Sequence, residues 1–247
     1  MHNAGADFAV VIAAGGTGSR FTKQNPQQKP KQFLTLKGLP LYVWSIKAFA
    51  SHHLVSKIVI CAPSDMVPEI SAEIGVYIAR FNIRQEVSVV SGGKTRQESV
   101  LKGLEELSQS QIPPDYVMVH DAARPFIDLQ TIDLVTRKAI ELSACTVGSA
   151  VSDTIKRVDG SLIVETLKRD ELVAVQTPQV ARFNLLFGAH QEAVLSGYST
   201  TDDVALLEWA GHEVHIVQGP THNLKLTHPL DLIMAEALAD YLFGDLL

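Results

Sequence analysis

Residues 8–20, FAVVIAAGGTGSR, join an apolar run to a glycine-rich loop. The run over residues 8–12 has the length and composition of a buried strand. Three glycines in the loop have no side chain to keep a ligand away from the backbone N–H groups: Gly15, Gly16 and Gly18. Cations follow at Arg20 and Lys31. A glycine loop that leaves a strand beside fixed positive charge is typical of an anion site, and nucleotide phosphates are commonly held this way.

Three interpretations of this loop differ in the spacing that each requires. A dinucleotide-binding fingerprint needs G-x-G-x-x-G and an acidic residue about twenty positions later. Phe21 replaces its third glycine here, and residues 35–38 contain no acid. A Walker A loop needs G-x-x-x-x-G-K-[ST], but Gly18 is followed by Ser19 and Arg20. A surface turn would be the preferred interpretation of an isolated glycine cluster. This interpretation is less favoured here because further signals of a ligand site recur later in the chain.

The composition is that of a globular chain with a sizeable core. Of 247 residues, 46% are hydrophobic, which suits one α/β domain over residues 1–247. The net charge of −6 argues against a general binder of nucleic acid or membrane surfaces. No apolar segment is long enough to span a bilayer, and the first residues lack the pattern of a signal peptide. We therefore expect a cytoplasmic protein whose Cys61 and Cys145 are buried free thiols.

Strand-like runs alternate with segments of helical periodicity along the chain. The runs after the first one cover residues 57–62, 86–90, 116–120, 145–151 and 213–217. The helical segments cover residues 39–50, 65–80, 92–107, 129–142, 182–196, 201–210 and 229–242. This alternation predicts an α/β fold with a mostly parallel, doubly wound sheet that is covered on both faces.

Residues 154–158 and 162–167 interrupt the alternation and flank Asp159 and Gly160. An Asp-Gly pair between two alternating segments is a strong hairpin signal. A two-stranded hairpin is marginal alone in water, so its apolar side chains need a partner surface. We predict an inserted β-hairpin arm at about residues 152–170 that packs against the same arm of a second subunit, in a homodimer.

Distinctive segments fall where predicted strands end, and ligands bind beyond the carboxyl ends of the strands in an open parallel sheet. Besides the opening loop, these segments are residues 91–99, 120–125 and 223–225. Their coincidence is a stronger signal than any single motif.

Within these segments, several side chains allow two interpretations. Ser99 could hydrogen-bond a base beside Gly93, although an ordinary helix start would be preferred for this segment alone. Asp121 could hold Mg²⁺ directly or through water, or it could pair with Arg124 to organise a turn. The Asp202-Asp203 pair could be a second metal site, but capping of the next helix explains it at least as well.

The sequence offers no activated nucleophile. There is no G-x-S-x-G elbow, and neither cysteine lies beside a basic residue. His120 is expected to be structural, and His212 and His215 lack a third zinc ligand nearby. A site that is rich in cations and glycine favours phosphoryl or nucleotidyl transfer, in which the protein mainly positions groups and neutralises charge.

The motifs, taken in order, resemble one enzyme family. AAGGTGSRF followed by PKQF is similar to the signature of sugar-nucleotide pyrophosphorylases. With GGKTRQESV, VHDAARPF, DTIKR, QTPQ, TDD and NLKLT, the set resembles the 2-C-methyl-D-erythritol 4-phosphate cytidylyltransferases over about residues 9–240. Ribitol-5-phosphate cytidylyltransferases share several of these motifs, but Ala122-Ala123 and DTIKR favour the methylerythritol branch.

The resemblance implies a Rossmann-like nucleotidyltransferase fold and two small-molecule substrates, CTP and the polyol phosphate 2-C-methyl-D-erythritol 4-phosphate. The implied products are 4-CDP-2-C-methyl-D-erythritol and pyrophosphate, in non-mevalonate isoprenoid biosynthesis. Mg²⁺ or another divalent cation and a homodimer are implied as well. Two alternatives stay open: an enzyme for ribitol 5-phosphate or another polyol phosphate, and a nucleotide-binding paralogue without turnover.

The resemblance also implies roles for individual residues. Arg20 and Lys31 match the pair that stabilises the transition state, and Arg169 and Lys225 match the pair that positions the phosphate of the second substrate. The cytidine-binding positions are matched by Ala13, Ala14, Gly15, Gly93 and Ser99. Asp121, as the metal ligand, and Arg124 match the pair near the metal and the nucleotide. The threonines near the second substrate are matched by Thr154 and Thr177.

Overall fold

A computed structural model of the chain describes residues 5–15 and 34–244. The strands in these residues are β1 Phe8–Ala13, β2 Thr35–Leu36, β3 Leu39–Pro40, β4 Val55–Ala62, β5 Glu86–Ser91, β6 Tyr116–Asp121, β7 Ala144–Ala150, β8 Lys156–Asp159, β9 Leu162–Thr166, β10 Val173–Arg182 and β11 His215–Gln218. The α-helices are α1 Leu41–Ala50, α2 Val67–Arg80, α3 Arg96–Ser108, α4 Leu129–Leu142, α5 Phe183–Ser196, α6 Asp203–Trp209 and α7 Pro229–Phe243.

Seven strands form one sheet in the order β11-β7-β10-β6-β1-β4-β5. β1 pairs in parallel with both β4 and β6, β5 pairs in parallel with β4, and β11 pairs in parallel with β7. β10 is antiparallel to both of its neighbours, β6 and β7. The prediction of a mostly parallel sheet is therefore confirmed, with one reversed strand inside it.

The sheet is covered by helices on both faces, as predicted. Because side chains alternate along a strand, Phe8, Val10 and Ile12 of β1 pack into a core with α1, α2 and α4. Ala9 and Val11 point the other way and pack with α3, α5 and α6. Both sets are fully buried, which explains why this strand reads as a continuous apolar run.

The position of β10 is a correction to the sequence analysis, which predicted no strand over residues 173–182. The segment does not read as a strand because it contains Pro178, and a proline argues against a central strand. Three residues around it are polar: Gln176, Thr177 and Gln179. In the structure the register of the β7–β10 pair shifts between Val175 and Gln179, around the proline. The three polar side chains are buried and bond to other parts of the chain.

The hairpin predicted around Asp159-Gly160 is present as β8 and β9, which form a separate two-stranded sheet. Its apolar side chains are exposed: Leu162 is 68% accessible, Ile163 60% and Val164 59%. The dimer that would cover them and the single domain over residues 1–247 stay predictions.

Five helices begin one to four residues later in the structure than the sequence predicted, and two of them show why. Leu39 and Pro40 pair with Thr35 and Leu36 as a short hairpin, so α1 begins only at Leu41. α3 begins at Arg96 because Thr95 caps it, accepting a hydrogen bond from the Glu98 N–H at 3.1 Å. No helix within residues 5–15 and 34–244 is long and apolar enough to cross a membrane.

Candidate active site

The carboxyl ends of β1, β4, β5 and β6 meet at one edge of the sheet because these strands are parallel. Backbone hydrogen bonds continue past the strand ends and join the loops there. The Ala14 N–H donates to the Cys61 carbonyl at 2.9 Å, the Ala122 N–H to Ala13 at 3.2 Å, and the Gly92 N–H to Ala62 at 2.6 Å. Three of the four segments singled out in the sequence thus emerge side by side.

Ser99 ties the two glycine loops together. Its hydroxyl is buried, accepts a hydrogen bond from the Gly93 N–H at 3.0 Å and donates to the Thr95 carbonyl at 2.8 Å. A Cβ atom at Gly15 would lie 2.8 Å from the Ser99 Oγ, and one at Gly92 would lie 2.9 Å from it. Both positions therefore require glycine for packing around Ser99, whatever they also contribute to a ligand.

Asp121 lies at the end of β6 between two cations. Its Oδ1 accepts from the Arg96 Nε at 3.0 Å, and its Oδ2 accepts from the Lys225 Nζ at 2.5 Å. Burial alone would raise the pKa of Asp121, but Arg96 and Lys225 outweigh burial and hold it far below the usual range. The carboxylate is thus ionised, and it fixes the Lys225 ammonium at the sheet edge.

Arg96 bridges Asp121 to a second buried carboxylate. Its Nη1 lies 2.7 Å from the Asp203 Oδ2, and the Asp203 Oδ1 lies 3.2 Å from the His190 Nε2. Burial opposes the charge on Arg96 and on Asp203, but the ion pairs prevail, so the pKa of Arg96 is raised and that of Asp203 is lowered. Asp203, for which a metal site was one of two interpretations, is thus engaged in an ion pair.

A chain of hydrogen bonds orients Asp121 from behind. The Asp121 N–H donates to the Thr177 hydroxyl at 3.2 Å, and this hydroxyl lies 3.0 Å from the His120 Nδ1. The His120 Nε2 lies 3.0 Å from the Arg124 carbonyl, which can only accept. The imidazole therefore carries its proton on Nε2 and accepts from Thr177 on Nδ1. His120 is structural, as the sequence analysis expected, and burial lowers its pKa to about 4.

The loop after β11 is fastened to the loop after β6. The Arg124 Nη1 donates to the Asn223 carbonyl at 2.8 Å, and the Leu226 N–H donates to the Ala123 carbonyl at 2.9 Å. The Asn223 side-chain amide donates to the Gln176 Oε1 and the Thr177 carbonyl. These contacts place Lys225, two residues beyond Asn223, against Asp121.

Asp202 caps α6, which is one of its two interpretations. Its Oδ1 accepts from the Ala205 N–H at 3.0 Å, and its Oδ2 accepts from the Gln179 amide at 3.0 Å. The side-chain oxygen Oε1 of Gln179 accepts from the N–H groups of Asp203 and Val204. Among residues 5–15 and 34–244 there is no group of three or more His, Cys, Asp or Glu side chains that could hold a metal ion.

The two predicted arm residues lie apart from this cluster. Arg169 follows β9 in a short 3₁₀ helix, and its described contacts are with the Ser152 carbonyl at 3.1 Å and with Asp170 at 3.9 Å. Thr154 is exposed just before β8. Within this one chain, no described contact joins either residue to Asp121 or Lys225. The other predicted residues Gly16, Gly18, Arg20 and Lys31 lie outside the described residues.

Both cysteines are free and buried, as expected. Burial raises the pKa of Cys61 and of Cys145 to about 12, so neither thiol is a nucleophile at neutral pH.

Three residues that organise the site were not predicted to do so: Arg96, Gln179 and Asn223. Each lies inside a quoted motif, GGKTRQESV, QTPQ or NLKLT, but the residues that they bond to are distant in sequence. The Arg96–Asp203 pair, for example, spans 107 positions. Three cations, Arg96, Arg124 and Lys225, thus converge beside two carboxylates at the sheet edge, an arrangement that can bind and orient phosphate groups.

Comparisons with known proteins agree with this geometry. Residues 8–240 match the model of the 2-C-methyl-D-erythritol 4-phosphate cytidylyltransferase family. The protein of that name from Bacillus velezensis is 41% identical over 234 residues, which cover 94% of this chain and 95% of that one. The Clostridium beijerinckii protein of the same name is 38% identical, over 92% and 96% of the two chains.

A solved structure is similar as well. The crystal structure of 2-C-methyl-D-erythritol 4-phosphate cytidylyltransferase from Thermus thermophilus superimposes with a TM-score of 0.74 at 30% identity, covering 93% of this chain and 97% of that one. Fold and overall sequence agree over nearly the whole length. The chain therefore belongs to the 2-C-methyl-D-erythritol 4-phosphate cytidylyltransferase family.

Proposed function

We propose that the chain transfers the cytidylyl group of CTP to 2-C-methyl-D-erythritol 4-phosphate and releases pyrophosphate, as a step of non-mevalonate isoprenoid biosynthesis. The observation that carries this proposal is the family match over residues 8–240. The relatives compared above carry the methylerythritol name, so neither a ribitol-phosphate enzyme nor a paralogue without turnover is favoured.

In this reaction a phosphate oxygen of the acceptor attacks the α-phosphorus of CTP, and the bond to the bridging oxygen of the leaving pyrophosphate breaks. Catalysis then consists mainly of positioning and of charge neutralisation. Lys225 is held by Asp121 through one N–H and keeps donors for the acceptor phosphate. Arg124 is directed by the Asn223 carbonyl. Arg20 and Lys31, by resemblance, stabilise the charge that develops on the triphosphate.

We also propose Mg²⁺ or another divalent cation as a cofactor. Mg²⁺ is usually bound by one or two carboxylates together with substrate phosphates and water, and Asp121 can supply one such carboxylate. Its two oxygens accept from Arg96 and Lys225, so Asp121 would hold the ion together with these cations and the substrate phosphates. The bound ion would offset the negative charge of the triphosphate.

The exposed arm supports a homodimer as a further proposal. Leu162, Ile163 and Val164 are more than half accessible, and a two-fold contact between two arms would bury them. Arg169 and Thr154 would then reach the site of the other subunit, which accounts for their distance from Asp121 within one chain. Cytoplasmic location stays a prediction.

The test is pyrophosphate release from CTP with each acceptor offered separately. We expect kcat/KM for 2-C-methyl-D-erythritol 4-phosphate to exceed that for ribitol 5-phosphate about tenfold or more, because the acceptor pocket distinguishes the two polyols. A preference for ribitol 5-phosphate would establish the alternative enzyme. If folded protein that binds CTP releases no pyrophosphate with either acceptor, the chain is the paralogue without turnover.

A further inference from the structure

A cavity of about 480 Å³ lies among α1, α4 and α7. Its walls are mainly apolar and include Trp44, Phe126, Leu129 and Phe243. The Trp44 and Phe243 rings stand 5.1 Å apart and tilted, and Phe126 is fully buried behind them. Cavities that bind small molecules have volumes of roughly 300–1,000 Å³ and mostly apolar walls with a few polar groups.

Lys47 is the cation of this cavity. Its Nζ lies 5.3 Å from the centre of the Trp44 ring and 4.3 Å from that of Phe81. Among residues 5–15 and 34–244 it has no carboxylate partner. Burial lowers the pKa of Lys47, and the nearby Arg80 lowers it further. An anion placed here would therefore be stabilised by a half-buried ammonium group that lacks a carboxylate counter-ion in this part of the chain.

Asp128, the carboxylate that lines the cavity, already has a hydrogen-bond partner on each of its oxygens. The Asp128 Oδ1 accepts from the Thr131 N–H at 2.6 Å as the cap of α4, and its Oδ2 lies 3.0 Å from the His222 Nε2. Asp128 keeps its negative charge, but both of its oxygens have partners, so Lys47 is the charged group of the wall with which an occupant can pair. Asp128 and His222 also belong to the two loops that carry Arg124 and Asn223, so the cavity adjoins the active site without including Asp121 or Lys225.

We propose that this cavity is a second binding site, for a small molecule that has an apolar ring body and one anionic group. The rings would lie against Trp44 and Phe243, and the anion would pair with Lys47. The rings of such a ligand would bury apolar surface against the aromatic walls. Its anionic group would be the counter-ion that Lys47 lacks among the described residues. Its lining includes neither Asp121 nor Lys225, so we expect this ligand and CTP to bind at the same time.

The test uses 8-anilinonaphthalene-1-sulfonate, which has this chemistry. The chain has two tryptophans, and Trp209 stacks on Tyr198 in the layer on the other face of the sheet. In a Trp209→Phe background the emission comes from Trp44 alone. We expect the probe to quench it saturably with one equivalent, and a saturating concentration of CTP to leave the titration unchanged.

Lys47 variants in this background test the proposed contact. Lys47→Met should weaken probe binding about tenfold, as expected for the loss of one charge-assisted contact, while Lys47→Arg should bind within a few-fold of the parent. Lys102→Met, an exposed lysine on α3, is the matched control and should bind normally. Pyrophosphate release by Lys47→Met should match that of the parent, which shows that the variant is folded.

Three results would overturn the proposal. Equal affinity in the parent and Lys47→Met would show that the cation does not hold the probe. Displacement of the probe by CTP would place it in the nucleotide site. Absence of saturable quenching would show that the cavity does not accept such a ligand, as when a second copy of the chain fills it.

Discussion

Arg96 holds two carboxylates of different function. Through Nε it fixes Asp121 at the sheet edge, and through Nη1 it neutralises Asp203, which is only 2% accessible. The carboxylate that orients Lys225 is thereby tied to the start of α6. Arg96 acts through Asp121 in this respect, because it holds the carboxylate that orients Lys225.

Arg96→Met should destabilise the fold because it leaves the Asp203 carboxylate buried with the His190 imidazole as its remaining described side-chain partner on α5. Removal of one partner of a buried ion pair typically costs about 3–5 kcal/mol. We expect a loss of this size in the free energy of unfolding, measured by urea denaturation. Asp203→Asn in the same chain should recover part of the loss, because the orphaned charge is then gone. Losses that simply add in the double variant would contradict the pairing.

His120 should make stability depend on pH. Its folded pKa is about 4, below the unfolded value of about 6.5, so the unfolded chain takes up the proton first as pH falls. This contribution is fully present above about pH 6.5 and is lost progressively down to about pH 4, by about 3 kcal/mol in total.

The His120→Gln variant checks this prediction, because its amide can still donate to the Arg124 carbonyl but does not titrate. We expect a shallower fall in unfolding free energy between pH 6.5 and 4.5 than in the parent. The difference in slope should approach 1.4 kcal/mol per pH unit, the value for about one proton. Parallel curves for the two proteins would rule out His120 as the titrating group.

At the scale of elements, the hairpin of β8 and β9 differs from every other pair of strands. The central strands are covered on both faces, whereas all residues of β8 and β9 are exposed in this chain. Ile163→Asp, at the second residue of β9, should therefore leave the fold intact and weaken the proposed dimer. Sedimentation velocity should show monomers at concentrations where the parent is dimeric.

Ile112→Asp is the matched control for this substitution. Ile112 is 82% accessible in the turn between α3 and β6, away from the hairpin in sequence. The control should leave the oligomeric state unchanged. A parent chain that is monomeric, or an Ile163→Asp chain that stays dimeric, would show that the arm does not form the interface.

At the scale of the whole molecule, the proposal of an active site shared between two subunits makes a directional prediction. Lys225 would serve the subunit that holds it, and Arg169 would serve the other subunit. Lys225→Met and Arg169→Ala chains should each be nearly inactive alone. After random subunit exchange, about half of the dimers are mixed and each has one intact site, so about a quarter of parental activity should return.

Exchange must be shown independently, for example by energy transfer between differently labelled chains. If Arg169 serves its own subunit, every site in a mixed dimer keeps one lesion and activity stays at the mutant baseline. Labelled chains that exchange without any gain of activity would therefore exclude the shared site.

The sequence by itself determined the order and type of the main elements. β1, β4, β5, β6 and their helices were predictable because hydrophobic periodicity and capping residues act locally. Asp159-Gly160 predicted its hairpin for the same reason. The convergence of four segments at one edge was also predictable, since parallel strands present their carboxyl ends together.

The tertiary structure alone decided how β10 and the buried polar groups are used. β10 contains Pro178 and buried polar residues. It can be a central strand only because residues distant in sequence form hydrogen bonds with its buried polar side chains. Lys225 and Asp121 lie 104 positions apart, and Arg96 and Asp203 lie 107 apart. Sequence spacing carries no information about such pairs. Whether a carboxylate binds a metal, caps a helix or pairs with a guanidinium depends on which groups the fold brings within hydrogen-bonding distance.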